Sequence, residues 1–319
     1  MDRELFESYY QKRGFSKEEF EEAVFALQAA EATFNGLGKT FETVDIEDVR
    51  TYLKSIRPIE MRTYLALARY FYLINQQDVY IYFTSILGGR GVLENIIASL
   101  EACEGHEAAE KILEGFEFPV VGTETTELPE ITANFVNKLE ASLPESVVQS
   151  VLAGNNHGIP KEAYLEERAI YLASNSLDDY LADYQKRQIQ ILQEHCDQNK
   201  VWFEQKITQE VVDFAASNQE IMSAVRQGQT LYTTKIPYDA VNYLQVTDPK
   251  LKRYYACHCP FARESILNDS SIISSNWCYC SGGFAKFPYE IILDKPLRVE
   301  CIASVLKGDD ICRFAVHMD

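Results

Sequence analysis

The sequence predicts an α+β chain: a helical N-terminal domain, a mostly helical middle region, and a small C-terminal antiparallel sheet packed against helices. Three observations carry this. Apolar residues recur at helical spacing through the first two thirds of the chain. After residue 228 the texture changes to the β-prone stretch QTLYTTKIPY. Near the C-terminus, LRVECIASVL (297–306) and ICRFAVHM (311–318) alternate and flank Lys-Gly-Asp-Asp, the pattern of two strands joined by a four-residue loop. The length, 319 residues, is enough for about two domains.

The elements follow in order. Residues 1–118 read as an all-helical packing or dimerisation domain. Ser16 opens a capping box with Glu19, Asp45 caps IEDVRTYLKSI, Pro58 opens IEMRTYLALARYFYLINQ, and Gly88 and Gly89 end DVYIYFTSILGG. Residues 119–130, with Gly, Thr and Pro, read as a linker, and residues 131–319 as an α+β ligand-binding domain. In that domain Ser176 caps a long amphipathic helix, and TQEVVDFAAS and NQEIMSAVRQG read as two more, the second closed by Gly228. In the simplest register of the terminal hairpin, Val305 faces Cys312. Cys301, Ala303, Val305, Cys312, Phe314 and Val316 then share an apolar face, with Arg298, Glu300, Ser304 and Arg313 on the other.

The chain is 46% hydrophobic and 24% charged, with a net charge of −18. So acidic a surface repels nucleic acid and anionic membrane, which leaves small molecules and proteins, including a second copy in a homodimer, as expected partners. The N-terminus has no apolar signal core, so the expected location is the cytoplasm. In a reducing compartment the eight cysteines are thiols, ligands or reactive groups. Six of the eight follow residue 250, which makes that region the candidate site.

Two Cys-x-Cys pairs stand there, in CHCPFARESIL (257–267) and WCYC (277–280). Three readings stay open. Cys257, Cys259, Cys278 and Cys280 would together form a four-thiolate set for zinc or iron. Alternatively, Pro260 at the first helical position makes Cys259 an N-cap thiol, its pKa lowered by the helix N-terminus. Glu264 or His258 would then move protons. The third reading is packing, with Trp277, Cys280 or Ser281, Phe284, Phe287 and Ile291 at helical spacing. Cys301 and Cys312, about 13 Å apart along the strand in the simplest register, read as core and as separate from the other thiols. His106, His157 and His195 read as solvated.

The order CHCPFARES, WCYCSGGF, PLRVECIASVLKGDDICRFAV resembles the 4-vinyl-reductase-type domain and the related L-2-amino-thiazoline-4-carboxylate hydrolase-like family of bacterial proteins. Cys280, Gly283, Gly308, Asp309, Cys312 and Phe314 carry the match, over residues 230–319. Residues 40–90 also resemble the SAM-like core-binding domain of tyrosine recombinases. There, however, twelve Lys and Arg stand against twenty-one Asp and Glu over residues 1–118, a balance unsuited to DNA. The C-terminal resemblance implies a helix-covered pocket that binds or senses a small molecule.

The leading expectation is therefore a small-molecule site lined by cysteines, with Tyr254, Tyr255, Trp277 and Phe284 as walls. Arg263, aided by Lys252 or Arg253, would receive an anionic group. The alternatives are a hydrolase of a small cyclic or amide substrate, using Cys259 or a cysteine-bound metal, and an interaction protein acting through its N-terminal helices.

Overall fold

A computed structural model describes residues 1–56, 59–268 and 272–319. The chain forms two compact units, one of Met1–Gly88 with Val120–Gly122, the other of Gly89–Pro119 with Thr123–Asp319. The first unit holds five helices: α1 (Arg3–Lys12), α2 (Lys17–Gly36), α3 (Ile46–Ser55), α4 (Met61–Leu73) and α5 (Gln77–Leu87). Ser16 and Asp45 each close a full capping box, with Glu19 and Asp48, an arrangement worth about 1 kcal/mol per cap. The core is aromatic. Phe6, Phe34, Phe41, Tyr70, Phe71 and Phe83 are buried, and Phe34–Phe41 and Phe41–Tyr70 meet edge to face, the geometry ring quadrupoles favour. The helix expected from Pro58 starts at Met61 after Glu60 as N-cap; Pro58 itself lies outside the described residues.

The second unit begins thirty residues before the boundary expected at 118. The reason is burial: α6 (Val92–Glu104) places Val92, Leu93, Ile96 and Leu100 in one core with Phe135, Val136 and Leu139. After α6 come α7 (His106–Ile112), α8 (Leu128–Ser142), α9 (Glu145–Leu152), α10 (Leu165–Ala173) and α11 (Leu177–Asp197). The expected linker 119–130 is thus shorter, since α8 starts at Leu128. A two-stranded ribbon, β1 (Val201–Trp202) and β2 (Gln205–Lys206), leads to α12 (Gln209–Ala216). Then follow β3 (Val225–Gln227), β4 (Thr230–Thr234), α13 (Ala240–Gln245), α14 (Pro249–Ala256), α15 (Arg263–Leu267), α16 (Tyr279–Leu293), β5 (Arg298–Ala303) and β6 (Arg313–His317). The main sheet has the order β3-β4-β6-β5 and is antiparallel throughout, in keeping with the expected α+β class.

Two local expectations change. NQEIMSAVRQG is not a helix; it ends in β3, and Gly228, at φ +61°, turns the chain into β4. Its apolar spacing mimicked a helix, but the sheet holds it. The Glu220 carboxylate accepts two hydrogen bonds from Arg313 at 2.6 Å and one from Thr234 Oγ1 at 2.8 Å. The terminal strands do pair, but with Val299 opposite Val316 and Cys301 opposite Phe314, a bulge before Ala303, and a 3-10 turn over Val305–Lys307. The register is two positions from the expected one. A two-residue slip keeps every side chain on its face, so Val299, Cys301, Phe314 and Val316 remain buried. Ser304, expected in solvent, is fully buried, because its hydroxyl accepts from Lys307 N and caps the turn.

α16 is wedged between this sheet and the end of α9, and two glycines make room. A Cβ on Gly282 would sit 3.2 Å from Val299 Cγ1 and 3.5 Å from Phe314 Cδ1. One on Gly283 would sit 2.2 Å from the Gly154 carbonyl oxygen and 2.6 Å from Ala153 C. Backbone atoms cannot swing aside as a side chain can. Gly283→Ala is therefore expected to cost about 1–3 kcal/mol, the usual range for overpacking. Gly36→Ala, at a helical position with nothing within 4 Å, should be neutral or stabilise by up to about 1 kcal/mol. Chemical denaturation of both variants checks the contrast.

Candidate functional site

The residues of the two Cys-x-Cys pairs fall into two environments. Cys257 and Cys278 are buried and lie within electrostatic reach of Cys312, and Cys257 also of Cys259. Burial holds the Cys278 thiol well above the ordinary cysteine range, and Cys312, Cys301 and Cys257 all add to that rise. So Cys301 and Cys312 are core residues, but they are not separate from the other thiols as the simplest register implied. Cys259 and Cys280 make the second group. Trp277 Nε1 donates to Cys259 Sγ at 3.1 Å, and His157 Nε2 lies 3.9 Å from Cys280 Sγ. Cys259 lies within electrostatic reach of Cys280.

This division does not suit a four-thiolate metal centre. Among the described residues no three His, Cys, Asp or Glu side chains gather as ligands for one ion. All eight cysteines are unpaired thiols. Two of the four proposed zinc or iron ligands face a sulfur–imidazole pair and an indole N–H, and the other two face the core.

Cys259 is not an N-cap residue. Residues 260–262 form a turn, Ala262 is the N-cap of α15, and the Cys259 carbonyl accepts from Ala262 N and Arg263 N at 3.2 and 2.9 Å. The side chain still receives help. The Trp277 indole and the Phe261 and Ala262 amides favour its thiolate, as does the charge of Lys235, but burial outweighs them and raises the pKa. α15 spans five residues, too short for the dipole effect the N-cap reading needed.

The other expected site residues are committed to one another. His258 points Nδ1 at Glu204 Oε1 (2.8 Å) and Nε2 at the Ile236 carbonyl (2.5 Å), and so does not reach toward Cys259 as a base. Tyr254 donates to Glu264 Oε1 at 2.9 Å, and Arg263 Nε lies 3.7 Å from the same oxygen. The Arg263 guanidinium is 4.1 Å from the Tyr238 ring centroid and 5.5 Å from that of Tyr254, cation–π contacts worth about 2 kcal/mol when desolvated. Tyr255 packs against Tyr254. Lys252 pairs with Asp310 at 3.6 Å. Hence Arg263 and Lys252 already face rings and carboxylates, although Arg263 Nε is buried without a hydrogen-bond partner, and Arg253 has no carboxylate partner among the described residues.

A further cation, Lys235, stands beside the second group of cysteines. Its backbone N–H donates to the Cys312 carbonyl at 3.0 Å, which fixes it at the end of β4. Its ammonium lies 3.4 Å from Ser281 Oγ and 5.5 Å from the Phe284 ring centroid. Among the described residues no carboxylate forms a salt bridge with it. Its charge bears on His157, His258, Cys259 and Cys280. Sequence reasoning passed over it, although a lone lysine within the apolar run from Leu231 to Tyr238 was a visible signal.

His157, read as solvated, is the second residue missed. Its loop is pinned: Asn155 brackets Ile159 by two hydrogen bonds, and Asn95 Nδ2 donates to the Asn156 carbonyl at 2.9 Å. The ring is open to solvent on one side and meets Phe284 edge to face. Crowding by the surrounding protein, then Lys235, holds its pKa down to about 4, so the imidazole is neutral at pH 7. Phe284 is 40% exposed, whereas Trp277 is buried between Phe135 and Phe261. The buried face of α16 is made by Cys280, Gly282, Gly283, Tyr289 and Ile292 instead of the expected Phe284–Phe287–Ile291 stripe.

These histidines predict a pH response. Burial holds His258 below its ordinary value of 6.5, although Glu204 and the Ile236 carbonyl favour the charged ring. Below pH 6.5 the unfolded chain takes up protons that the native rings refuse, so stability falls as pH drops from about 6.5 toward 4. His258→Gln should flatten that decline between about pH 7 and 5. His106, raised by Glu101, acts oppositely but equally in both proteins. Melting curves across this range decide the sign; a decline steeper in His258→Gln than in the wild type would mean that Glu204 prevails over burial. Compared with known protein families, curated proteins and solved structures, the chain has no significant match.

Proposed function

We propose that the C-terminal unit binds a small anionic molecule beside Cys259 and Cys280. The observation that carries this is the half-buried Lys235 ammonium beside Cys259 and Cys280, with no carboxylate partner among the described residues, in a chain whose net charge is −18. With forty-eight acidic side chains available, leaving this cation unpaired keeps it free to receive an anion from outside. Ser281 beside it offers a hydroxyl, and Phe284 an accessible apolar surface. Two neutral thiols and a neutral imidazole complete the surroundings, and the nearby Glu204 carboxylate is bound to His258.

The hydrolase reading built on Cys259 with Glu264 or His258 has less support, because those side chains are engaged elsewhere. A ligand at a hundred times its Kd stabilises the native state by about 2.7 kcal/mol. For a unit of this size that is a rise of roughly 5–10 °C in Tm. A panel of small carboxylates and phosphates should contain compounds that raise Tm in the wild type and not in Lys235→Gln. The exposed control Lys186→Gln should respond as the wild type does. An undiminished shift in Lys235→Gln, or none in the wild type, would overturn the reading.

A further inference from the structure

We infer that Cys280 is a nucleophile, with His157 as its general base, acting on an electrophilic carbon of the anion that Lys235 holds. The inference rests on the binding reading above and adds a reaction to it.

The geometry is that of a thiol paired with a base. His157 Nε2 is 3.9 Å from Cys280 Sγ, within hydrogen-bond reach for sulfur. Cys259, by contrast, has an indole N–H, which donates and takes no proton. His157 is an exposed residue, so a proton accepted by its ring can pass on to water. Burial pushes the Cys280 thiol up to about 12, with Asn156 and Lys235 acting the other way, so the thiol rests protonated and needs a base to react. The two glycines after Ser281 set the position of the sulfur, because they seat α16 between sheet and α9. Groups facing the imidazole are Cys280 from α16, Lys235 from the end of β4, and Glu204 from the β1–β2 turn. Both members of the pair are neutral at rest, so the thiol loses its proton as it attacks, as a serine does in a serine–histidine pair.

The step balances without an outside oxidant. The Cys280 S–H proton passes to His157 Nε2 while the Sγ–C bond forms. The bond from that carbon to the leaving group breaks, and the leaving group departs with the electron pair and takes the proton from His157. Where the carbon is an acyl carbon, the product is a thioester, and water returns it to thiol and carboxylic acid.

Iodoacetate and its neutral analogue iodoacetamide test this on the full-length protein, with peptide mapping to locate the label and 2-mercaptoethanol as reference. Carboxymethylation of Cys280 releases iodide and sends the proton through His157. Cys280 is expected to take iodoacetate in preference to iodoacetamide, relative to the reference thiol. Lys235→Gln should lower that preference about tenfold, the equivalent of one charge-assisted hydrogen bond. His157→Gln should slow both reagents about a hundredfold, the lower end of general-base assistance. In the wild type the labelling rate should be level from about pH 5 to 8, whereas an unassisted thiol speeds up about tenfold per pH unit. Native protein in which Cys280 stays unlabelled, or labels equally fast in His157→Gln, overturns the assignment. The binding reading is judged separately: if carboxylates raise the Tm of the wild type and not of Lys235→Gln while Cys280 stays unlabelled, the binding reading stands and the nucleophile falls. Circular dichroism of each variant confirms that it is folded.

Discussion

The close approach of α16 to the backbone at Ala153–Gly154 is the constraint on which the rest of the C-terminal unit depends. Only glycine allows it, since a Cβ on Gly283 would overlap a carbonyl oxygen. On the opposite side Gly282 lets Val299 and Phe314 of the sheet touch the same helix. A helix held from both sides by backbone and buried side chains has little freedom to shift. Residues just before the glycines inherit that fixity: Trp277, whose indole meets Cys259, and Cys280, which meets His157. The short loop that carries His157 starts at the very residues the glycines touch. Thiol and imidazole are therefore positioned by one contact, not by two independent ones.

Electrostatics within the site run against those of the whole molecule. The protein is strongly acidic, yet Lys235 stands among neutral groups, while the carboxylates near it are engaged. Glu204 is bound to His258, and Glu264 to Tyr254 and Arg263. Desolvation keeps the thiols protonated and the imidazoles neutral. The one full charge among them is thus more strongly felt than it would be on the surface, because few charges or waters screen it.

Capping residues and alternation made much of the fold legible in advance. Ser16, Asp45 and Ser176 cap helices through their own side chains, a local effect that sequence reports directly. β5 and β6 alternate because one face is buried. NQEIMSAVRQG misled because its helical spacing was outvoted by a distant partner, Arg313, which no local pattern reveals. The site was legible as a neighbourhood and not as a constellation. Cys259, Cys280, Trp277 and Phe284 were found from their motifs. Lys235 and His157 reach the same place from elements far away in the chain, and only the packing of α16 joins them. Arg263 and Glu264 looked available in sequence because their tyrosine partners are contributed by other segments.

His258 has a further consequence. Its two ring nitrogens face a carboxylate and a carbonyl, both acceptors, so the native fold contains a proton site that burial keeps vacant. A local opening that admits water removes that penalty, so the opened corner binds the proton more readily than the closed one, and its population rises as pH falls below the ordinary histidine range.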